Sequence, residues 1–283
     1  MPLAGWNFRC TIQRMRQKCQ SHLTPAQAGH SIEILETAAL SLTAATSEIA
    51  QAREWLRGAS SIAVLTGAGV SAESGLPTFR GPNGLWRNHK PELLATPEAF
   101  AADPKLVWEW YDWRRSVHLK CQPNPGHYAL AELERRAVEF QLITQNVDSL
   151  HERAGSRRTV HLHGSVWRTR CMGCAEEKWD ERVPLEPLPP HCECGAMLRP
   201  AVVWFGEPLP EFELRVAVEA ARAAQVFVVV GTSSMVYPAA ALPRLALESG
   251  ARVIEVNPER TALTASAHIF LQGAAGQILP QLI

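Results

Sequence analysis

Thr66-Gly67-Ala68-Gly69-Val70-Ser71-Ala72-Glu73-Ser74-Gly75-Leu76-Pro77-Thr78-Phe79-Arg80 follows directly on an apolar run, Ser61-Ile62-Ala63-Val64-Leu65. The run predicts a short buried strand, and the glycines predict a tight turn at its carboxyl end. Glycine leaves no Cβ in the way, so backbone N–H groups of such a turn can approach a pyrophosphate. Gly67, Gly69 and Ala72 fit the G-x-G-x-x-G/A spacing of dinucleotide sites, a pattern that is weak by itself. Phe79-Arg80 adds an aromatic ring and a fixed cation just past the turn. The acidic ribose reader expected about 20 residues further on is not evident. Glu92 is the nearest candidate, and no second strand leads into it. The stretch therefore reads as a nucleotide site unlike that of an ordinary dehydrogenase.

Working outward, residues 31–57 have the apolar spacing of a helix. Residues 82–97, rich in Pro, Gly and Asn, read as a loop. Asp103 to Lys120 and Gly126 to Arg136 read as helices, and Phe140 to Thr144 as a second buried strand. A third apolar run, Ala201-Val202-Val203-Trp204-Phe205, is followed by Val226–Val230 ending in Gly231-Thr232-Ser233. A helix is expected to start near Pro238. Arg252–Val256 then ends at Asn257, and a short strand near His268–Leu271 and a terminal helix close the chain. Strands alternating with helices predict a parallel, doubly wound sheet, with its ligand outside the carboxyl ends of the strands.

The bulk properties exclude several classes. Lys+Arg and Asp+Glu are equal at 28 each, which argues against bulk attraction to nucleic acid or membrane. No apolar run reaches the length of a membrane span. Residues 1–32 carry Arg9, Arg14, Arg16 and Lys18 without an acidic residue. That composition resembles a transit peptide, but a disordered tail or an upstream stretch of doubtful translation start is the favoured reading.

Seven cysteines is an odd number, and four fall in Cys171-Met172-Gly173-Cys174 and Cys192-Glu193-Cys194-Gly195. Two tight pairs of thiolates satisfy a tetrahedral Zn²⁺ completely, so the metal is expected to be structural, one per chain. The C-x-C pair needs a tighter turn than the commoner C-x-x-C. Cys10, Cys19 and Cys121 read as incidental.

Four segments align in order: the glycine turn, Thr144-Gln145-Asn146-Val147-Asp148, His161-Leu162-His163-Gly164-Ser165, and Val202-Val203-Trp204-Phe205-Gly206-Glu207. With the cysteine insert between the last two, this order resembles the sirtuin family of NAD-dependent protein-lysine deacylases, from about residue 48 onward. The resemblance implies a Rossmann-like large domain (48–80, 125–165 and 201–283). A smaller domain is implied from the helical segment 81–124 and the zinc-ribbon segment 166–200, with 1–47 as an N-terminal extension. It implies NAD as co-substrate, held by Gly67, Ala68, Gly69, Ser71, Thr78, Phe79, Arg80 and Trp86. Gln145, Asn146, Val147 and Asp148 would meet the ribose and nicotinamide. Gly231, Thr232, Ser233, Asn257, Pro258, Glu259 and Ala275 would hold the adenosine half. Val203 to Glu207 would pair, strand to strand, with a substrate peptide.

His163 is implied as the catalytic base, with Asn146 and Asp148 catalytic beside it. Loss of nicotinamide leaves oxocarbenium-like charge that the acyl-lysine oxygen attacks. A neutral imidazole, unperturbed pKa about 6.5, can then activate a ribose hydroxyl. Strand alternation puts His161 and His163 on one face, so the residues alone do not separate them; only the resemblance does. Tyr111 and Arg114, at i and i+3 on one helix, resemble the pair of the branch that removes succinyl, malonyl and glutaryl groups, with Ala95 small enough to leave room. Arg115 is expected to point elsewhere. The expectation is a cytoplasmic, monomeric enzyme acting on acyl-lysine proteins, with the mitochondrial matrix as the alternative if residues 1–40 are a transit signal. Plain deacetylation, mono-ADP-ribosyl transfer and a non-enzymatic zinc-bearing NAD sensor are the rival readings.

Overall fold

β1 (Ser61–Thr66) is buried along its whole length, and so is β7 (Val226–Val230) beside it. Neighbouring strands that are apolar on both faces belong in a parallel sheet covered on both sides. The computed structural model describes residues 46–77 and 91–283. The chain clusters into two units, Met1–Glu48 and Ile49–Ile283, and all described strands lie in the second. In chain order the helices are α1 (residues 46–58), α2 (Gly69–Ala72), α3 (Pro91–Leu94), α4 (Pro97–Ala102) and α5 (Pro104–Lys120). They continue with α6 (Pro125–Arg136), α7 (Leu150–Arg153), α8 (Glu211–Ala223), α9 (Leu242–Glu248) and α10 (Ala275–Leu282). The other strands are β2 (Glu139–Thr144), β3 (Thr159–His161), β4 (Gly164–Cys171), β5 (Glu177–Trp179), β6 (Leu198–Val202), β8 (Arg252–Asn257) and β9 (Ile269–Gln272).

The expected doubly wound sheet is present, in the order β3-β2-β1-β7-β8-β9. Every pairing in it is parallel. Alternation along β1 sorts its side chains between two cores. Ile62 and Val64 pack with Ala52 and Leu56 of α1, Leu130 and Leu133 of α6 and Ile278 of α10. Ala63 and Leu65 face the opposite layer, with Ala217 and Ala221 of α8 and Leu242 and Ala246 of α9. Two alanines one helical turn apart let α8 approach the sheet closely.

The strand order positions the site. The chain leaves β1 to build β2 and β3 on one side, then returns to place β7 on the other. A crevice opens at such a switch point, outside the carboxyl ends of the two central strands. Gly67 follows β1 there, and Gly231 follows β7.

A second, antiparallel sheet of three strands, β5-β4-β6, carries the cysteines. α4 and α5 pack onto it through Phe100, Trp108 and Tyr111 against Val166, Trp167 and Val202. α5 starts where the Asp103 carboxylate accepts the Leu106 N–H at 2.9 Å, with Pro104 in the first turn.

Three expectations are corrected in detail. The strand expected through Phe205 ends at Val202, and residues 203–207 form a turn with Gly206 at φ +87°, a conformation glycine adopts without strain. The helix near Pro238 begins as a 3-10 turn, Ala239–Ala241, before α9. Within 82–97, Pro91–Leu94 is helical rather than loop. α8 had no counterpart in the sequence reading. Of the helix expected over 31–57, residues 46–57 are helical; residues 31–45 lie outside the described residues, as do Thr78, Phe79, Arg80 and Trp86.

Candidate active site

At the switch point, the turns after β1 and β7 cross with their backbones in contact. Gly67 N–H donates to Val230 O at 3.0 Å, and Gly69 N–H to Gly231 O at 2.8 Å. A Cβ on Gly67 would sit 2.8 Å from Gly231 O, one on Gly69 2.7 Å from Gly231 Cα, and one on Gly231 2.5 Å from Val70 N. The glycines are therefore needed first to let two turns interlock; that packing holds the turn at the mouth of the crevice.

The loop after β2 laces onto this crossing. Asn146 Nδ2 donates to Gly67 O at 3.1 Å and to Ser71 Oγ at 3.2 Å. Ser71 Oγ donates to Asp148 Oδ2 at 3.0 Å, and Leu150 N–H to Asp148 Oδ1 at 3.0 Å. Burial pushes the Asp148 carboxyl up, and those two donors oppose the rise. Gln145 Nε2 reaches Thr232 Oγ1 at 3.0 Å, and Asn257 Nδ2 donates to Thr232 O at 3.2 Å. Residues 67–71, 145–148, 232 and 257 thus form one hydrogen-bonded constellation at the carboxyl ends of β1, β2, β7 and β8. Gln272 Nε2 donates to Pro258 O, and Glu73 caps the Gly276 N–H beside Ala275. Among the described residues, the Ser233 and Glu259 side chains make no hydrogen bond to this network.

The two histidines separate by chemistry. His161 Nε2 is 2.8 Å from Glu152 Oε1. Burial lowers the His161 pKa, but the Glu152 carboxylate more than reverses this and leaves it raised, while Glu152 is itself lowered. Of the two histidines, His161 is the one whose protonated form a carboxylate stabilises. His163 Nδ1 lies 2.8 Å from the Gln145 carbonyl, which can only accept. That contact places the proton on Nδ1 and leaves Nε2 with its lone pair. Burial holds the His163 pKa below the ordinary value, with the carbonyl opposing. His163 is the neutral imidazole.

Tyr111 is fully buried on α5, and its Oη accepts Trp204 Nε1–H at 2.9 Å. The Arg114 guanidinium stands 5.0 Å from the centre of the Trp110 ring and 5.5 Å from that of Tyr111. Burial lowers the Arg114 pKa, and Tyr111 and Asp148 oppose this. Arg115 points elsewhere as expected: its Nε donates to Val166 O on β4 at 2.7 Å. Ala95, Tyr111, Val147 and Trp204 belong to one apolar cluster.

The 203–207 turn is tied on several sides. Val203 N–H donates to His163 O, Phe205 N–H to Ala95 O and Glu207 N–H to Trp204 O. The Glu207 carboxylate accepts Trp204 N–H at 2.8 Å and Arg199 Nη2 at 2.9 Å. Glu207 is thus used inside the turn, and Arg199 is a partner that sequence reasoning missed because it sits on β6, outside every motif. Glu152, which decides the histidine assignment, was missed for the same reason. A cavity of about 550 Å³ next to the turn is lined by Asp148, Glu152, His161, Ser165, Val203 and Glu207, among others. His161, not His163, lines it.

The four cysteine sulfurs lie within 4.8 Å of one another. Cys171 Sγ is 3.4 Å from Cys194 Sγ, and Cys174 Sγ 3.8 Å from Cys192 Sγ. A Zn–S bond of about 2.3 Å puts tetrahedral sulfurs about 3.8 Å apart, so the cluster fits. The Cys174 and Gly173 N–H groups pull the Cys171 thiol down to about 6, toward the thiolate a metal needs. The tight second pair closes through Gly195 N–H to Cys192 O at 2.9 Å, with Gly195 at φ +87°.

The profile of the Sir2 family matches residues 67–238. An NAD-dependent protein deacylase 2 of Pyrobaculum aerophilum is 59% identical over 221 residues, 78% of this chain and 88% of that protein. An NAD-dependent protein deacylase of Aquifex aeolicus is 57% identical over 215 residues, 76% of this chain and 90% of that one. A Sir2 homolog solved with NAD superimposes with a TM-score of 0.78 at 50% identity, covering 81% of this chain and 90% of that one. A Sir2 protein solved with a myristoylated histone peptide matches at 0.68 and 38% identity, covering 84% and 95%.

Proposed function

The chain belongs to the Sir2 family of NAD-dependent protein deacylases, and from that premise we propose that it prefers lysines whose acyl group ends in a carboxylate, succinyl and malonyl before acetyl. The observation that carries this reading is the Tyr111–Arg114 pair: a buried phenol, with a guanidinium held against aromatic faces beside it. An arginine can bond a carboxylate through two parallel N–H groups, and a hydroxyl adds a third donor. The apolar cluster of Ala95, Val147 and Trp204 would enclose the acyl chain between that pair and the loop of Asn146 and Asp148.

NAD supplies a glycosidic bond whose loss of nicotinamide makes a sugar carbon the acceptor for the acyl group. His163 takes a proton at Nε2, its ring fixed through Nδ1 by the Gln145 carbonyl. Asn146, Ser71 and Asp148 hold the glycine turn and the β2 loop in one geometry. His163 and Gly67 are brought together through adjacent residues, since Gln145 bonds the first and Asn146 the second. The peptide lies along 203–207. Among the described residues the Val203, Trp204, Phe205 and Glu207 N–H groups already have partners, so pairing uses the Gly206 N–H and the turn's carbonyls. The four cysteines would hold one structural zinc, with no open position for chemistry. No described helix is long and apolar enough to cross a membrane; we read the enzyme as a cytoplasmic monomer.

Steady-state kinetics on one peptide carrying either succinyl- or acetyl-lysine test the reading. A charge-assisted bond to the acyl carboxylate predicts a kcat/KM at least about tenfold higher for the succinyl peptide. Equal values, or a preference for acetyl, contradict it.

A further inference from the structure

We infer that Trp204 is a positioning residue for acyl specificity: its indole N–H holds the Tyr111 oxygen so that the phenolic proton is presented to the acyl carboxylate. The inference rests on the acidic-acyl reading above and names the part of the site that enforces it. As a member of the proposed peptide-binding turn, Trp204 offers the peptide its backbone atoms. The geometry assigns the side chain a separate task.

An indole nitrogen is a donor only, so at 2.9 Å the Tyr111 oxygen must be the acceptor. A phenol that accepts from one side keeps its own O–H to give on the other. A carboxylate accepts only, and a neutral acetyl group has no carboxylate to receive this bond. Both partners are shut off from water, Trp204 at 3% exposure and Tyr111 at 0%, so no solvent molecule would stand in for a missing indole donor.

Trp204 is in turn held rigidly. The Arg199 guanidinium lies 3.5 Å from the centre of its indole, and the Phe100 ring is 5.2 Å away on tilted approach. Arg199 and the Trp204 backbone N–H both bond Glu207, which closes the turn. One clamp therefore sets the peptide-facing turn and the Tyr111 hydroxyl together, so binding of the peptide and recognition of the acyl end are mechanically joined.

Trp204→Phe keeps a ring for Arg199 and Phe100 to pack on and removes the donor together with part of the indole's volume, a packing loss that both peptides would share. Kinetics on paired succinyl and acetyl peptides are measured for Trp204→Phe, Tyr111→Phe and the double variant. Loss of one neutral hydrogen bond predicts that the succinyl-to-acetyl ratio of kcat/KM falls about fivefold, through a higher KM for the succinyl peptide, on top of any change the two peptides share. In the Tyr111→Phe background the second substitution should lower that ratio no further, because the two act through one oxygen. Equal losses on both peptides, or falls in the ratio that multiply in the double variant, overturn the assignment. If Tyr111→Phe separates the two peptides and Trp204→Phe does not, only the role of Trp204 falls. If Tyr111→Phe changes neither peptide, the acidic-acyl reading falls and takes this inference with it.

Discussion

Replacing His163 with asparagine is expected to lower turnover on succinyl and acetyl peptides alike by about a hundredfold to ten-thousandfold, the range for removing a general base. The amide of asparagine can still donate to the Gln145 carbonyl, so the substitution preserves the anchor and deletes the basic Nε2. Thermal stability and zinc content of the variant should match the parent, which isolates the chemical loss. The pH profile carries the same information in the parent. Burial lowers the His163 pKa, so the imidazole is neutral down to a lower pH than an ordinary histidine. The base works deprotonated, so activity should rise with pH along a limb lying below about 6.5 and be level above it. His161→Asn breaks the pair with Glu152 and should leave that limb where it is. Near-normal turnover in His163→Asn, or a limb that moves with His161, would place the base elsewhere.

Arg114→Met is expected to cut kcat/KM for the succinyl peptide by about tenfold to a hundredfold while the acetyl value changes by less than about threefold. Methionine keeps much of the apolar stem that lies against Trp110 and Tyr111, so packing in the cluster is largely retained. What disappears is a half-buried cation, already disfavoured by burial, that an incoming carboxylate would compensate. Arg115→Met is the contrasting case, since Arg115 is fully buried and bonds Val166 O on β4. Its loss should weaken the attachment of α5 to the small sheet and lower stability, with both peptides affected equally. Equal losses on the two peptides in Arg114→Met remove Arg114 from the acyl pocket; selectivity that shifts instead in Arg115→Met exchanges the roles of the two arginines.

The strands and turns of the large sheet were legible because they are local. β1 and β7 are apolar runs ending in glycine, and strand alternation sends their side chains to two separate cores. The four cysteines were legible because a metal's geometry restricts spacing. Elsewhere the deciding partner is distant in the chain. Gly67 and Gly69 read as room for a phosphate, but the backbone that first requires them is Gly231, more than 160 residues on. His161 and His163 look alike along a strand, and only Glu152 and the Gln145 carbonyl set their protonation apart. The clamp of Arg199, Trp204 and Glu207 joins a strand to the turn after it, a contact that no motif spacing encodes. The end of β6 at Val202 follows from Gly206, whose left-handed φ turns the chain where apolar character alone suggested more strand.

The most direct measurement is mass-spectrometric identification of every product formed from a succinyl-lysine peptide and NAD by the parent enzyme. The proposed function predicts free lysine, nicotinamide and succinylated ADP-ribose in equal amounts. Free succinate without an acylated sugar, or a peptide carrying ADP-ribose, would contradict the transfer of the acyl group to the sugar beside His163.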